Sequence, residues 1–240
     1  MLASIKEIKQ SHPFWGYRRV RAWLKYRQDL PVGCKRIYRL MKENDLLVPQ
    51  TRYRAKRQPA GRKPRAARPR QFWGIDMTKF IIPGLGWAYL VIALDWFSRK
   101  VVGWQLSLRC RTQEWREALE DAVLQEFPNG VRGQGLKLIS DNGCQPSSGA
   151  FLKVTATLDI AQIFTSYNNP KGNAETERFM RTLKEELLWL EEFAGLEEAH
   201  KKLSAWIDFY NHRYLHSALG YQSPQEYERL YQETNLVKAA

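Results

Sequence analysis

Cysteine is scarce in this chain. Cys34, Cys110 and Cys144 are the only three in 240 residues, widely spaced, with no CxxC pair and no Cys/His cluster. That excludes a disulfide framework and a zinc site, and leaves a cytosolic chain with free thiols as the simplest reading. Long apolar runs are also missing. The most apolar stretch, "YLVIALDWF", is interrupted by Asp95, far short of a membrane span, and the N-terminus has no apolar signal-peptide core. Acid is nearly absent from the first third: Met1 to Arg70 holds 20 Lys+Arg against 4 Asp+Glu, whereas the remainder holds 18 against 21. The net charge of +13 therefore belongs to the N-terminal part. Such asymmetry points to a polyanionic partner, most often nucleic acid.

The sequence has enough apolar material for a packed core, with 44% hydrophobic residues and 9 Trp. A chain of this length forms one large domain, or a modest one with a small companion. Residues 1–49 read as short basic helices. "YRRVRAWLKY" and "VGCKRIYRLMKENDL" each gather apolar residues on one side, and Pro31-Val32-Gly33 separates them as a tight turn. Two basic helices joined this way are helix-turn-helix-like, with Lys35, Arg36 and Arg39 on the second helix as candidate DNA contacts. Residues 50–70, "QTRYRAKRQPAGRKPRAARPR", carry nine basic residues, three prolines and no acid. They read as an extended linker in which Arg62, Lys63 and Arg65 would meet phosphates without sequence preference.

From Gln71 the pattern changes. "QFWGIDMTKFII", "WAYLVIALDWFS" and "VVGWQLSL" alternate as strands joined by short turns; a helix follows from Thr112 to Phe127, then the strand "LKLIS", a helix from Ser148 to Leu158, and the strand "AQIFTS". Helices are expected from Ala174 to Leu190, Glu197 to Asn211 and Pro224 to Gln232, with 233–240 as a tail. This order implies an α/β fold with a mixed five-stranded sheet flanked by helices over 71–232.

Three acids then hold positions that matter. Asp76 lies in the first strand, Asp141 ends the fourth, and Glu177 opens the helix after the fifth. If the first and fourth strands are neighbours, the three carboxylates converge, and their repulsion makes sense with a cation between them. Hard oxygen ligands select Mg²⁺, with Mn²⁺ as a substitute, and two such ions can activate a hydroxyl and stabilise the leaving oxygen of an in-line phosphoryl displacement. Each acid also has a plainer reading: Glu177, Arg181 and Lys184 as solvated ion-pair formers on one helix stripe, Asp141 as a turn former in Asp-Asn-Gly, Asp76 as a strand acid.

The motifs "WGIDMTKF", "LDWFSRKVVGW", "SDNG", "GNAETERFMRTLKEE" and "WIDFYNHRYLHSALGYQSPQEY" together resemble the integrase core of insertion-sequence transposases, bacterial relatives of retroviral integrases. The 35 residues between Asp141 and Glu177 match that family's Asp-Asp-Glu signature. The resemblance implies a ribonuclease H-like fold, with Asp76, Asp141 and Glu177 as catalytic metal ligands. It also implies DNA contacts through Arg181, Lys184 and Asn142, and metal-dependent cleavage and strand transfer on double-stranded DNA by a homo-oligomer. Asp95 matches a recurrent acid of the family and reads as structural, paired with Arg99; His216 and the stripe Trp206, Phe209 and Tyr210 read as packing. Many such transposases have an upstream region with a coiled coil, and no sustained heptad pattern occurs here. The chain is thus expected to be a second-reading-frame product or a truncated copy, partnered by the upstream-frame protein in a bacterial cytoplasm, associated with the nucleoid. A nuclease that cuts without joining, or a non-catalytic DNA-binding relic of an insertion element, are the rival readings.

Overall fold

The computed structural model of the chain describes residues 1–49, 65–165 and 173–239. Arg62 and Lys63 lie outside the described residues. The chain divides into two compact units, Met1–Pro59 with Arg213–Ser223, and Ala60–His212 with Pro224–Ala240.

The smaller unit contains α1 (Leu2–Ser11), α2 (Tyr17–Arg27) and α3 (Cys34–Glu43). Apolar residues at helical spacing turn inward, so that Ile5, Ile8, Val20, Leu24, Ile37 and Met41 are buried, while Lys35, Arg36 and Arg39 of α3 are exposed. The segment Arg213–Ser223 completes this core. Tyr214 meets Trp15 edge-on at 5.8 Å between ring centroids, and Arg19 lies 4.7 Å above the Tyr214 ring and donates to its hydroxyl. His216 packs here too, 4.9 Å from the Tyr214 ring.

The larger unit is built on a five-stranded sheet of order β3-β2-β1-β4-β5. Its strands are β1 (Phe72–Ile82), β2 (Gly86–Asp95), β3 (Val101–Ser107), β4 (Lys137–Ser140) and β5 (Ala161–Phe164). The first three pair antiparallel and β1, β4 and β5 run parallel, giving the mixed sheet expected from the pattern. α4 (Thr112–Glu126) covers one face, where Trp73, Ile75, Val91 and Ala93 meet Trp115, Ala118, Leu119 and Ala122. Its approach is close at Gly103, where a Cβ would lie 2.4 Å from the Ala118 carbonyl oxygen. α5 (Gly149–Thr157) joins the same layer.

After β5 come α6 (Ala174–Leu183), α7 (Leu196–His212) and α8 (Pro224–Ala239). Phe179 of α6 packs on Tyr210 of α7 at 4.9 Å, and Tyr210 stacks on Trp206 at 5.3 Å, so the aromatic stripe is core. The expected i+4 stripe Phe179, Leu183 and Leu187 is buried throughout. The helix itself differs: α6 stops at Leu183 and Lys184–Leu188 form a π-helical turn, a wider winding that is concentrated at functional sites. α8 is also longer than expected. Its first half is anchored by Glu228, which accepts from Ser98 Oγ at 2.5 Å and lies 3.6 Å from Lys100 Nζ, and once nucleated a helix extends at little cost.

Candidate active site

The parallel register of β1 on β4 pairs Phe72 with Lys137 and Gly74 with Ile139. Carried two residues further, it brings Asp76 beside Asp141, where β4 ends. Asp76 is half-buried and its Oδ1 accepts from the Met77 N–H at 2.8 Å. Asp141 is exposed and accepts from the Gly143 N–H at 3.0 Å, a local turn that fits Asp-Asn-Gly. Next to it, Asn142 donates through Nδ2 to the Thr165 carbonyl at 2.7 Å and ties this loop to the end of β5. Glu177 is exposed in the first turn of α6, with its N–H bonded to the Asn173 carbonyl at 3.0 Å.

Electrostatics places these acids in one neighbourhood. The Asp76 carboxyl is pushed up to about 6, chiefly by burial, with the charges of Asp141 and Glu177 adding to the rise; the Met77 N–H and the Lys184 ammonium oppose it. Asp141, Glu177 and Lys184 therefore all lie within electrostatic reach of Asp76. Among the described residues no three His, Cys, Asp or Glu side chains stand close enough to hold a metal ion as they are. Mutual repulsion favours that spacing when no cation lies between them.

The remaining candidates separate. Arg181, on the stripe with Glu177, is exposed and pairs with Glu185 at 2.7 Å, and it is not among the charges acting on Asp76. Lys35, Arg36 and Arg39 are exposed on α3 in the smaller unit, and Arg65 is exposed ahead of β1. Asp95 is fully buried and structural, accepting from the N–H groups of Arg70 at 2.7 Å, Phe97 at 2.8 Å and Ser98 at 3.1 Å, and from Trp73 Nε1 at 3.2 Å. Its expected pairing with the Arg99 side chain is corrected: that guanidinium reaches Glu175 Oε2 at 3.0 Å, because the turn points it toward α6. Trp96 and Arg99 reach the two residues just before Glu177, Thr176 at 3.2 Å and Glu175 at 3.0 Å, contacts that the sequence pattern does not show.

Comparison with known proteins is consistent with this geometry. A family model described as integrase core domain matches residues 66–170, a second of the same description matches 158–224, and an HTH-like domain matches 1–56. The transposase for insertion sequence element IS904 of Lactococcus lactis is 32% identical over 166 residues, covering 69% of this chain and 64% of that relative's length. The Escherichia coli transposase InsD for insertion element IS2A/D/F/H/I/K is 27% identical over 236 residues, 95% of this chain and 78% of its own. Among solved structures, a chain of the simian T-cell lymphotropic virus intasome in complex with PP2A regulatory subunit B56 gamma superposes with a TM-score of 0.57 at 16% identity, over 93% of this chain and 74% of that one. That last likeness is one of fold.

Proposed function

The chain belongs to the integrase core family, and from that premise we propose that it is the catalytic subunit of a DNA transposase, joining DNA strands by metal-dependent in-line phosphoryl transfer. The observation that carries the reading is the placement of half-buried Asp76 on β1 at the end of its parallel pairing with β4, where Asp141 follows, within reach of the charge of Glu177 on α6. An oxygen-only donor set, partly open to solvent and strained by its own repulsion, fits hard divalent cations such as Mg²⁺ or Mn²⁺. Asp76, Asp141 and Glu177 would hold them. Ions bound there would lower the pKa of an attacking hydroxyl and offset charge on the leaving oxygen.

The chain's other groups bind and orient. Lys184, already near Asp76, and Arg181 one turn before it would take phosphates of the DNA being joined, with Asn142 beside them. Lys35, Arg36 and Arg39 would enter or flank a groove at the element end. Arg62, Lys63 and Arg65 would add phosphate contacts that raise affinity at low salt. Double-stranded DNA is thus both substrate and scaffold, and bringing two ends together calls for a homo-oligomer, with an upstream-frame protein as a further partner.

The test uses purified protein, a labelled duplex carrying a candidate element end and an unlabelled target, with Mg²⁺, with EDTA, and with Glu177→Gln. The expected result is a joined product that needs the metal and disappears in the variant while DNA binding persists. Cleavage with no joining would favour a nuclease; binding without any metal-dependent product would favour a non-catalytic role.

A further inference from the structure

A second group of side chains meets directly behind Glu177. Gly74 lies on β1 two residues before Asp76, hence on the same face of the sheet. A Cβ at Gly74 would come within 2.1 Å of Thr176 Oγ1 and 2.4 Å of Trp96 Nε1, so glycine is what allows the first turn of α6 and the β2–β3 turn to meet on this strand. Thr176 is fully buried although its neighbour Glu177 is exposed, and its Oγ1 accepts from Trp96 Nε1 at 3.2 Å. One residue earlier, Glu175 takes the Arg99 guanidinium at 3.0 Å.

Trp96 and Arg99 come from one rigid turn. The Asp95 carboxylate accepts from the Phe97 and Ser98 N–H groups, and the Asp95 carbonyl from the Arg99 N–H at 2.8 Å. Arg99 itself sits in the left-handed region at φ 67°, a conformation that an arginine keeps only where its surroundings impose it.

The apolar stripe of α6 fixes how far the helix stands from the sheet, but such packing is not directional. Sliding by one residue would move Glu177 about 1.5 Å along the axis and turn it by about 100°. A working constellation tolerates only about 0.5 Å. Directional bonds to the two residues just before Glu177 remove that freedom. We propose that Trp96 and Arg99 are positioning residues, which, by holding Thr176 and Glu175, set where Glu177 stands relative to Asp76. This rests on the reading of Asp76, Asp141 and Glu177 as the metal-holding acids.

The experiment measures Mn²⁺ binding by calorimetry on the DNA-free full chain, alongside urea stability. Trp96→Phe keeps an aromatic ring, a smaller one, and loses the N–H; Thr176→Val keeps the volume and loses the hydroxyl; Thr176→Ser keeps the acceptor; Glu177→Gln tests the site. The expected outcome is about tenfold weaker Mn²⁺ binding in Trp96→Phe and in Thr176→Val, as is usual for groups that orient a ligand. The double variant should be no weaker than either, and Thr176→Ser should bind as the unaltered chain does. Trp96→Phe and Thr176→Val binding normally while Glu177→Gln does not would overturn the proposal and leave these side chains as packing. Unchanged binding in Glu177→Gln would instead sink the reading of the site, and the positioning role with it.

Discussion

Replacing Asp76 by Asn should make the metal-free protein more stable while destroying its chemistry. The folded chain holds the Asp76 carboxyl up at about 6 against an ordinary 3.8, chiefly through burial and then through Asp141 and Glu177. Ionising it in place therefore costs about 3 kcal/mol, at roughly 1.4 kcal/mol per unit. Because the folded value is the higher one, the stability is intact below about pH 4 and is lost as pH rises through about 6. Asparagine stays neutral at every pH and its Oδ1 can still accept the Met77 N–H. In EDTA at pH 7.5, Asp76→Asn should raise stability by up to about 3 kcal/mol, and the gain should shrink to nothing near pH 4. Urea unfolding at both pH values measures this. Mg²⁺ at about a hundred times its dissociation constant should then stabilise the unaltered chain by about 2.7 kcal/mol and leave the Asn variant unmoved. A gain as large at pH 4 as at pH 7.5 would show that the effect is packing, and a loss at both would show that Asp76 supports the fold; either result refutes the reasoning.

Two other perturbations test the supports of the site. Lys100 lies between two buried acids, 2.5 Å from Glu126 and 3.6 Å from Glu228; Lys100→Met leaves Glu126 only its Arg70 partner at 2.9 Å and Glu228 without a cation among the described residues, and should cost about 3–5 kcal/mol in urea unfolding, whereas an exposed pair such as Arg229–Glu233 should cost about 0–1 when broken. Replacing Arg62, Lys63 and Arg65 together by Ala should weaken DNA binding by a similar factor on every sequence and flatten the log–log salt dependence by about 0.9 for each phosphate left without its cation, as filter binding at several salt concentrations would reveal.

Much of the larger unit was legible because its elements obey simple periods. The alternation in "QFWGIDMTKFII" and the helix stripe through Phe179 and Leu183 each bury one face, and burial imposes register. The parallel pairing of β1 with β4, which puts Asp76 and Asp141 at one end of that pair, was legible for the same reason, since it follows from the strand and helix order. What did not show was direction. Nothing in the local sequence distinguishes an Arg99 that folds back on Asp95 from one that reaches Glu175; that depends on a left-handed turn and on the helix packed above it. The end of α6 was hidden too, because a π-helical turn leaves the apolar spacing of Phe179, Leu183 and Leu187 almost unchanged.

The segment "YLHSALGY" poses a different problem of legibility, because its partners lie some two hundred residues back. Tyr214 is 1% exposed, Arg19 caps its ring, and Arg27 donates to the Arg213 carbonyl at 3.3 Å, so the small helical unit is completed by residues that follow α7. An isolated three-helix segment of this size buries too little surface to be comfortably stable. Tyr214→Ala should therefore cost about 3–5 kcal/mol, the usual range for deleting a buried aromatic ring, and the loss should fall on the helical unit. Amide hydrogen exchange in the full chain localises it: α1 and α2 should lose about a hundred- to several-thousandfold in protection, at roughly 1.4 kcal/mol per tenfold, while the β1 and β2 amides keep theirs. Unchanged protection in α2 would mean that the helices hold themselves together and that the returning segment only rests on them. Protection reduced equally in β1 would mean that the helical unit and the sheet unfold as one cooperative structure.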